Sequence, residues 1–265
     1  MIIAGYFASV LIGISLGLIG GGGSILTVPV LVYLFAVDAV AATAYSLFIV
    51  GLASAVGSIN YFFNRLVNVK TAIIFGIPSI VAVFLTRAYI VPAIPKEVFS
   101  IGDFIVTKSV LLMLIFAALM LAASYSMISK SKKASDAQEP QQKFNYPLIL
   151  LEGAIVGMLT GLVGAGGGFL IIPALVVLSK LPMKEAVGTS LAIIAAKSLI
   201  GFLGENAETI IDWSLLLKVS SFAIAGIFLG TLLSKRIDGS KLKPAFGWFI
   251  LVMGLYVILK ETLLK

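Results

Sequence analysis

The sequence predicts an all-α polytopic integral membrane protein built from two inverted five-segment repeats, each with a short broken helix after a glycine-rich run. Three observations predict it. The 265-residue chain is 60% hydrophobic and 12% charged, against about a quarter charged in a soluble domain. Apolar runs near the roughly 20 residues that span a bilayer recur from end to end. The second half repeats the first at a constant offset of 144 residues, and the basic residues gather on one face of the segment pattern.

The segments run in order from the N-terminus. MIIAGYFASVLIGISLGLIG has no positive leading region and no small-residue cleavage site, so it reads as a first membrane segment rather than a removed signal peptide. Others follow at roughly 24–36, 39–61, 69–90, 104–128, 147–164, 168–180, 183–204, 212–234 and 243–260. Segments 24–36 and 168–180 are short. At 1.5 Å per residue they reach about 20 Å, less than a hydrocarbon core of about 30 Å. The polar stretch 129–146, SKSKKASDAQEPQQKFNY, is a solvated linker between a first transmembrane repeat, 1–128, and a second, 147–265.

The repeat is read residue by residue. GLIGGGGSILTVPVLVYL falls on GLVGAGGGFLIIPALVVL, with Gly17, Leu18, Gly20, Gly22, Gly23, Leu26, Pro29, Leu31, Val32 and Leu34 meeting identical residues. In the same ungapped register Ala42, Ser46, Leu47, Ser54 and Gly57 meet Ala186, Ser190, Leu191, Ser198 and Gly201. Asn68-Val69 falls on Asp212-Trp213, at the start of the next segment of each half.

Charge orients the repeats. If every segment, short ones included, changes side, one face carries Arg65, Lys70, Lys130, Lys132, Lys133, Lys143, Lys180, Lys184, Lys235, Arg236, Lys241 and Lys243. The other carries Arg87, Lys96, Lys260 and Lys265 with the acidic loop GENAETIID. If each short segment merely prolongs the one before it, the same 16 residues split evenly. The positive-inside rule selects the first arrangement. It places the chain in the cell (plasma or inner) membrane as a multi-pass protein, both termini outside and the 129–146 linker cytoplasmic. Five segments per repeat is odd, so the halves have opposite orientations, a recurring transporter plan with the substrate site between the repeats.

Composition excludes several function classes. No cysteine and no histidine are present, which removes thiol redox chemistry, zinc and haem ligation and histidine proton relays. No cofactor and no metal site is expected. The net charge of +7 lies in loops, so nucleic acid is not an expected partner.

Within the membrane, glycine is a weak helix former. A functional reading has Gly20 and Gly21, and likewise Gly164, break the helix so that a new one starts near Ser24 or Gly168. The first amides of a helix lack internal partners and carry the positive end of its dipole, which makes an anion site. Gly22, Gly23, Ser24, Gly166, Gly167 and Gly168 are then substrate contacts. A bland reading makes the glycines close-packing residues only. Pro29 and Pro173 lie five residues past each break and shape the backbone.

Glu185 opens EAVGTSLAIIAAKS. Thr189 and Ser190 place hydroxyls in an apolar helix, and offsets of seven and eight set Lys197 and Ser198 on the side of Ser190. Lys197 suits an anion, or snorkels to the outer surface; both readings stay open. The first half has Ala53 in its place but keeps Ser46, a further candidate contact. Glu152 is a candidate carrier of a coupling proton, or sits paired near the interface.

GLIGGGGSILTVPVLV, GLVGAGGGFLIIPALV and AVGTSLAII resemble the TauE/SafE family, the sulfite-exporter-like permeases. The resemblance covers nearly the whole chain, and it departs in the first half, where AYSL (44–47) stands for GTSL. It implies export of sulfite, sulfoacetate or related sulfur-containing anions. The residues and the resemblance together predict a secondary transporter working by alternating access, without enzymatic activity. A passive anion channel is the alternative, and a membrane scaffold is a further one. The expected partners are a small anionic substrate, the lipid bilayer and a second copy in a homodimer. No nucleotide-binding motif is visible, so the driving force is an ion gradient or the substrate's own.

Overall fold

A computed structural model describes residues 2–101, 104–129, 146–164, 167–177, 181–204, 211–234 and 239–263. Most of the linker 129–146, most of the acidic loop and Gly166 lie outside the described residues.

The first half consists of α1 (Ile2–Ile19), a 3₁₀ turn at Gly21–Gly23, α2 (Ser24–Tyr33), α3 (Ala39–Phe63) and α4 (Val69–Leu85). A π-helical segment, Thr86–Ile90, and the three-residue α5 (Val91–Ala93) extend α4. An antiparallel hairpin, β1 (Glu97–Ile101) and β2 (Phe104–Thr107), leads to α6 (Lys108–Ser129). The second half is α7 (Tyr146–Val163), α8 (Gly168–Val177), α9 (Met183–Leu203), α10 (Trp213–Ser234) and α11 (Gly239–Leu263). Five helical stretches among the described residues are long and apolar enough to cross a membrane: Ala39–Phe63, Val69–Ala93, Lys108–Tyr125, Met183–Leu203 and Trp213–Ser234. The chain is an all-α multi-pass membrane protein.

Two sequence expectations are corrected. Residues 104–107 are a strand, not the start of a helix: Ile105, Val106 and Thr107 are β-branched and suit a pleated pair, and the Lys108 amide closes the hairpin on the Lys96 carbonyl at 2.9 Å. Arg87, counted with the outer loops, lies in the π-helical segment and is 1% exposed.

Short α2 reverses direction. A Cβ on Gly23 would strike Leu16 and Ile12 of α1, and the Phe35 ring packs on Gly5 and, at 5.4 Å, on Tyr6. The chain therefore doubles back along α1 instead of prolonging it.

Contacts between the halves recur when the halves are exchanged. Gly13 of α1 seats on Ala223 of α10, and the equivalent Gly157 of α7 seats on Ser79 of α4. Gly57 faces Ile227, and Gly201 faces Val83. Asn68 caps α4 through the Thr71 amide at 3.0 Å, and Asp212 caps α10 through the Leu215 amide at 3.0 Å. The Asn68 amide donates to the Thr189 hydroxyl at 2.9 Å, and the Asp212 amide donates to the Tyr45 hydroxyl at 2.5 Å. Tyr45 and Thr189 are equivalent positions, so the odd residue of AYSL does the same work as the threonine of GTSL. Equivalent helices α3 and α9 run antiparallel, since Phe48 meets Phe202, Gly51 meets Leu199 and Gly57 meets Leu191.

Two apolar clusters fill the interior. The first gathers residues of α1, α3, α4, α9 and α10, including Leu16, Ile49, Phe75, Leu191 and Ile227. The second joins α6 and α11 through Phe116, Met120, Ile250 and Val257. Helices α2 and α8 contribute to both, Leu31 and Ile171 to the first and Ile25 and Ile172 to the second. Both breaks therefore lie where the two clusters meet.

Candidate functional site

The breaks begin alike and end differently, since Gly23 has φ −69° where its equivalent Gly167 is left-handed. Gly20 (φ +71°) and its equivalent Gly164 (φ +69°) are left-handed, as is Gly167 (φ +66°), a conformation that L side chains rarely take. The two runs then cross. A Cβ on Gly21 would overlap the Gly168 backbone, and one on Gly168 would overlap Gly21. Glycine is required at this crossing because nothing larger lets the backbones meet, so the packing reading holds for Gly21 and Gly168. The crossing also brings the start of α8 next to the first run.

Side chains around the second break are cationic. Lys197 of α9 is fully buried and its Nζ donates to Thr160 Oγ1 of α7 at 3.0 Å. It does not snorkel to the surface. A Cβ on Gly167 would stand 2.5 Å from that Nζ, so the ammonium lies against the residue that leads into α8. Arg87 donates from Nη1 to Thr43 Oγ1 of α3 at 2.9 Å. Its Nη2 and Thr43 occupy the space that a Cβ on Gly164 would take. One Gly-rich break thus has a guanidinium at its first residue and an ammonium at its fourth.

Among the described residues, the nearest neighbours of Gly20, Gly21 and Gly23 in the first break carry no charge. Nearest to a Cβ on Gly20 are Ser190 Oγ at 2.8 Å and Ile172 and Val187 at 3.2 Å. Gly23 faces Ser15, Leu16 and Ile12. The Tyr61 hydroxyl donates to the Gly17 carbonyl at 3.3 Å.

The remaining sequence candidates divide. Ser24 turns its hydroxyl to the Gly21 carbonyl at 2.7 Å, and Ser190 turns its own to Val187 at 2.8 Å. Thr189 holds the Asn68 amide. Ser46 is fully buried, and its Oγ has no hydrogen-bond partner among the described residues; the same is true of Ser198, beside Lys197. Gly22 lies in the 3₁₀ turn, Pro29 inside α2 and Pro173 inside α8. Glu152 precedes Thr160 by eight residues on α7, about 12 Å along the helix, so the structure does not bring it to the cations. Its Oε2 has no hydrogen-bond partner among the described residues. No group of three or more metal-ligating side chains occurs among them either. Arg87 escaped the sequence reading because its position, near a segment end, matched a loop charge.

The electrostatics favour a negative guest. A helix start carries about half a positive charge. Pressing an ammonium against it places like on like, in surroundings where charge is expensive. An anion between them relieves both. An apolar groove of about 510 Å³ on α3 and α10, lined by Val56, Asn60, Phe63, Ile227 and Phe228 among others, includes neither cation.

The Sulfite exporter TauE/SafE family profile matches residues 6–257. A "Probable membrane transporter protein" of Xylella fastidiosa is 30% identical, the match covering 94% of this chain and 91% of that protein. "Probable membrane transporter protein YunE" of Bacillus subtilis is 28% identical, covering 91% of each. A relative of the same description in Methanocaldococcus jannaschii is 30% identical, over 98% of this chain and 94% of its own. No solved structure matches the chain. The chain belongs to the sulfite exporter TauE/SafE family, and it is a membrane transporter of that type.

Proposed function

We propose that this member of the sulfite exporter TauE/SafE family is a secondary transporter that exports small sulfur-containing anions, sulfite and sulfoacetate among them, by alternating access across the cell membrane. One observation carries the reading: the fully buried Lys197 ammonium, held by Thr160, lies against the start of α8. An ammonium kept there empty repels the helix start; an anion completes it. Gly167 and Gly168 supply backbone amides, Lys197 supplies charge, and Ser46 and Ser198 are available hydroxyl donors.

The antiparallel α3–α9 pair and the reversing α2 support an inverted plan, and the distribution of basic residues supports both termini outside with the 129–146 linker cytoplasmic. The halves interlock, α1 on α10 and α7 on α4, so one repeat does not rock freely against the other. The boundary between the two apolar clusters suits the movement better, with the α6–α11 pair shifting against the remaining helices and α2 and α8 between them. Such a boundary lets small sliding steps expose the breaks to one side at a time.

Flux of labelled sulfite and sulfoacetate in proteoliposomes tests the proposal. Saturable uptake with counterflow is expected. Conductance without saturation or counterflow identifies a channel, and absence of anion movement under any gradient ends the reading.

A further inference from the structure

Near the end of α3, Ile59 and Phe63 stand one helical turn apart, both exposed, and form a ridge. A groove runs along each flank. The groove of about 510 Å³ between α3 and α10 reaches Asn60, Phe228 and Leu232. A second, of about 260 Å³, is lined by Ser58, Phe62, Val67 and Ala192. Ile59 and Phe63 border both. We propose that a two-chain anionic phospholipid straddles this ridge, one acyl chain in each groove and its phosphate held by Arg65 and Lys184. The inference stands apart from the proposed anion transport.

Three observations carry it. The first is shape. A ridge with a groove on either side fits a lipid with two chains, whereas a single-chain amphiphile fills one side only. Helices α3 and α10 run parallel, since Tyr45 meets Asp212, Gly57 meets Ile227 and Tyr61 meets Ser234. The larger groove therefore ends where both helices end, at the level of a headgroup. The second is charge. Arg65 follows α3 by two residues and Lys70 lies in the first turn of α4. Gly188 of α9 packs on the Leu66 carbonyl, and Lys184 is one turn before it. All three cations are exposed. Glu185 is the acid beside them on α9, and no acidic residue occurs between Asp38 and Glu97. The third is the backbone of Arg65. Its amide donates to the Phe62 carbonyl at 3.0 Å, and the Leu66 amide donates to the Tyr61 carbonyl at 2.9 Å. Arg65 has φ +56°, in a helix-closing turn where glycine is the usual residue. A side chain is costly there, and this one ends the ridge with a positive charge.

Basic residues at a membrane surface attract anionic lipid, and basic sites between membrane helices hold anionic headgroups. The contrasting possibility is that Arg65 only complements the negative end of α3 while any lipid fills the grooves. That role gives no headgroup preference.

The test is native mass spectrometry of the purified full chain, titrated with phosphatidylglycerol and with phosphatidylcholine of the same acyl chains. The wild type is expected to bind phosphatidylglycerol about tenfold more tightly or better. Arg65→Gly is expected to cut that preference about fivefold, the scale of one basic residue at a lipid surface. Glycine suits the left-handed position, so this variant is expected to fold. Lys184→Gln is expected to give a smaller loss in the same direction. Lys260→Gln, which removes a cation stacked on Tyr33 at 3.8 Å, is expected to change nothing. Single-chain lysophosphatidylglycerol is expected to bind more weakly than the two-chain lipid, and Phe63→Ala to narrow that gap. Equal binding of the two headgroups overturns the inference. So does a preference that survives Arg65→Gly and Lys184→Gln, an equal loss with Lys260→Gln, or a single-chain lipid that binds as tightly as the two-chain one. Each of these leaves the transporter reading standing.

Discussion

The glycine breaks at 20–23 and 164–168 share a fold and differ in charge. Gly20 and Gly164 both have a left-handed φ, +71° and +69°, whereas Gly23 (φ −69°) and its equivalent Gly167 (φ +66°) differ, and each run presses into the other at Gly21 and Gly168. Their surroundings diverge. Gly20 is lined by Ser190, Ile172 and Val187, whereas Gly164 is lined by Arg87 and Thr43 and Gly167 by Lys197 and Thr160. At the positions equivalent to Lys197, Arg87, Thr43 and Thr160 the opposite half has Ala53, Thr231, Val187 and Leu16. Both copies keep the left-handed entry into the break, and the cations gather on one of them. A symmetric scaffold therefore carries an asymmetric site.

The largest effect expected is at the crossing of the two runs. Gly21→Val and Gly168→Val each drive a side chain into opposing backbone, at about 3 kcal/mol or more. Both are expected to abolish folded, monodisperse protein on size-exclusion chromatography. Tolerance at either position shows that the two backbones do not meet as closely as the crossing requires.

The asymmetry is tested next. Lys197→Gln is expected to weaken anion binding about tenfold to a hundredfold, the range for hydrogen bonds to charged groups. Ala53→Gln, at the matching position of the other half, is expected to leave it unchanged in the same calorimetric titration. Equal losses at both positions make the site symmetric and end the comparison as drawn.

The smallest effects sharpen the symmetric part again. Asn68→Ala and Asp212→Ala remove equivalent caps from α4 and α10, and each is expected to lower stability by about 1 kcal/mol. Thermal unfolding in detergent reads both. A cap that matters in one half only shows that the halves have drifted further than their contacts suggest.

The comparison also shows what can be read from residues alone. Segment limits come close to the helices, with the first predicted at 2–20 and found at Ile2–Ile19, because an apolar run in lipid has few alternatives to a helix. The hairpin at 97–107 was hidden, since Phe104-Ile105-Val106-Thr107 is as apolar as the helix that follows it. Lys197 was legible as a charge inside a segment. Its choice between surface and interior was not, because Thr160 and Gly167 come to it from another part of the chain. Arg87 was misplaced for the same reason: its hydroxyl partner Thr43 is 44 residues away in sequence.

By itself the sequence determined the membrane class, the offset-144 repeat and the two glycine breaks. These follow from composition and local spacing, which act on each segment separately. Only the tertiary structure decided that α2 turns back along α1, that the two glycine runs cross at Gly21 and Gly168, and that Arg87 and Lys197 meet the same break. Those outcomes depend on which helices pack together, and packing joins residues that no local pattern connects.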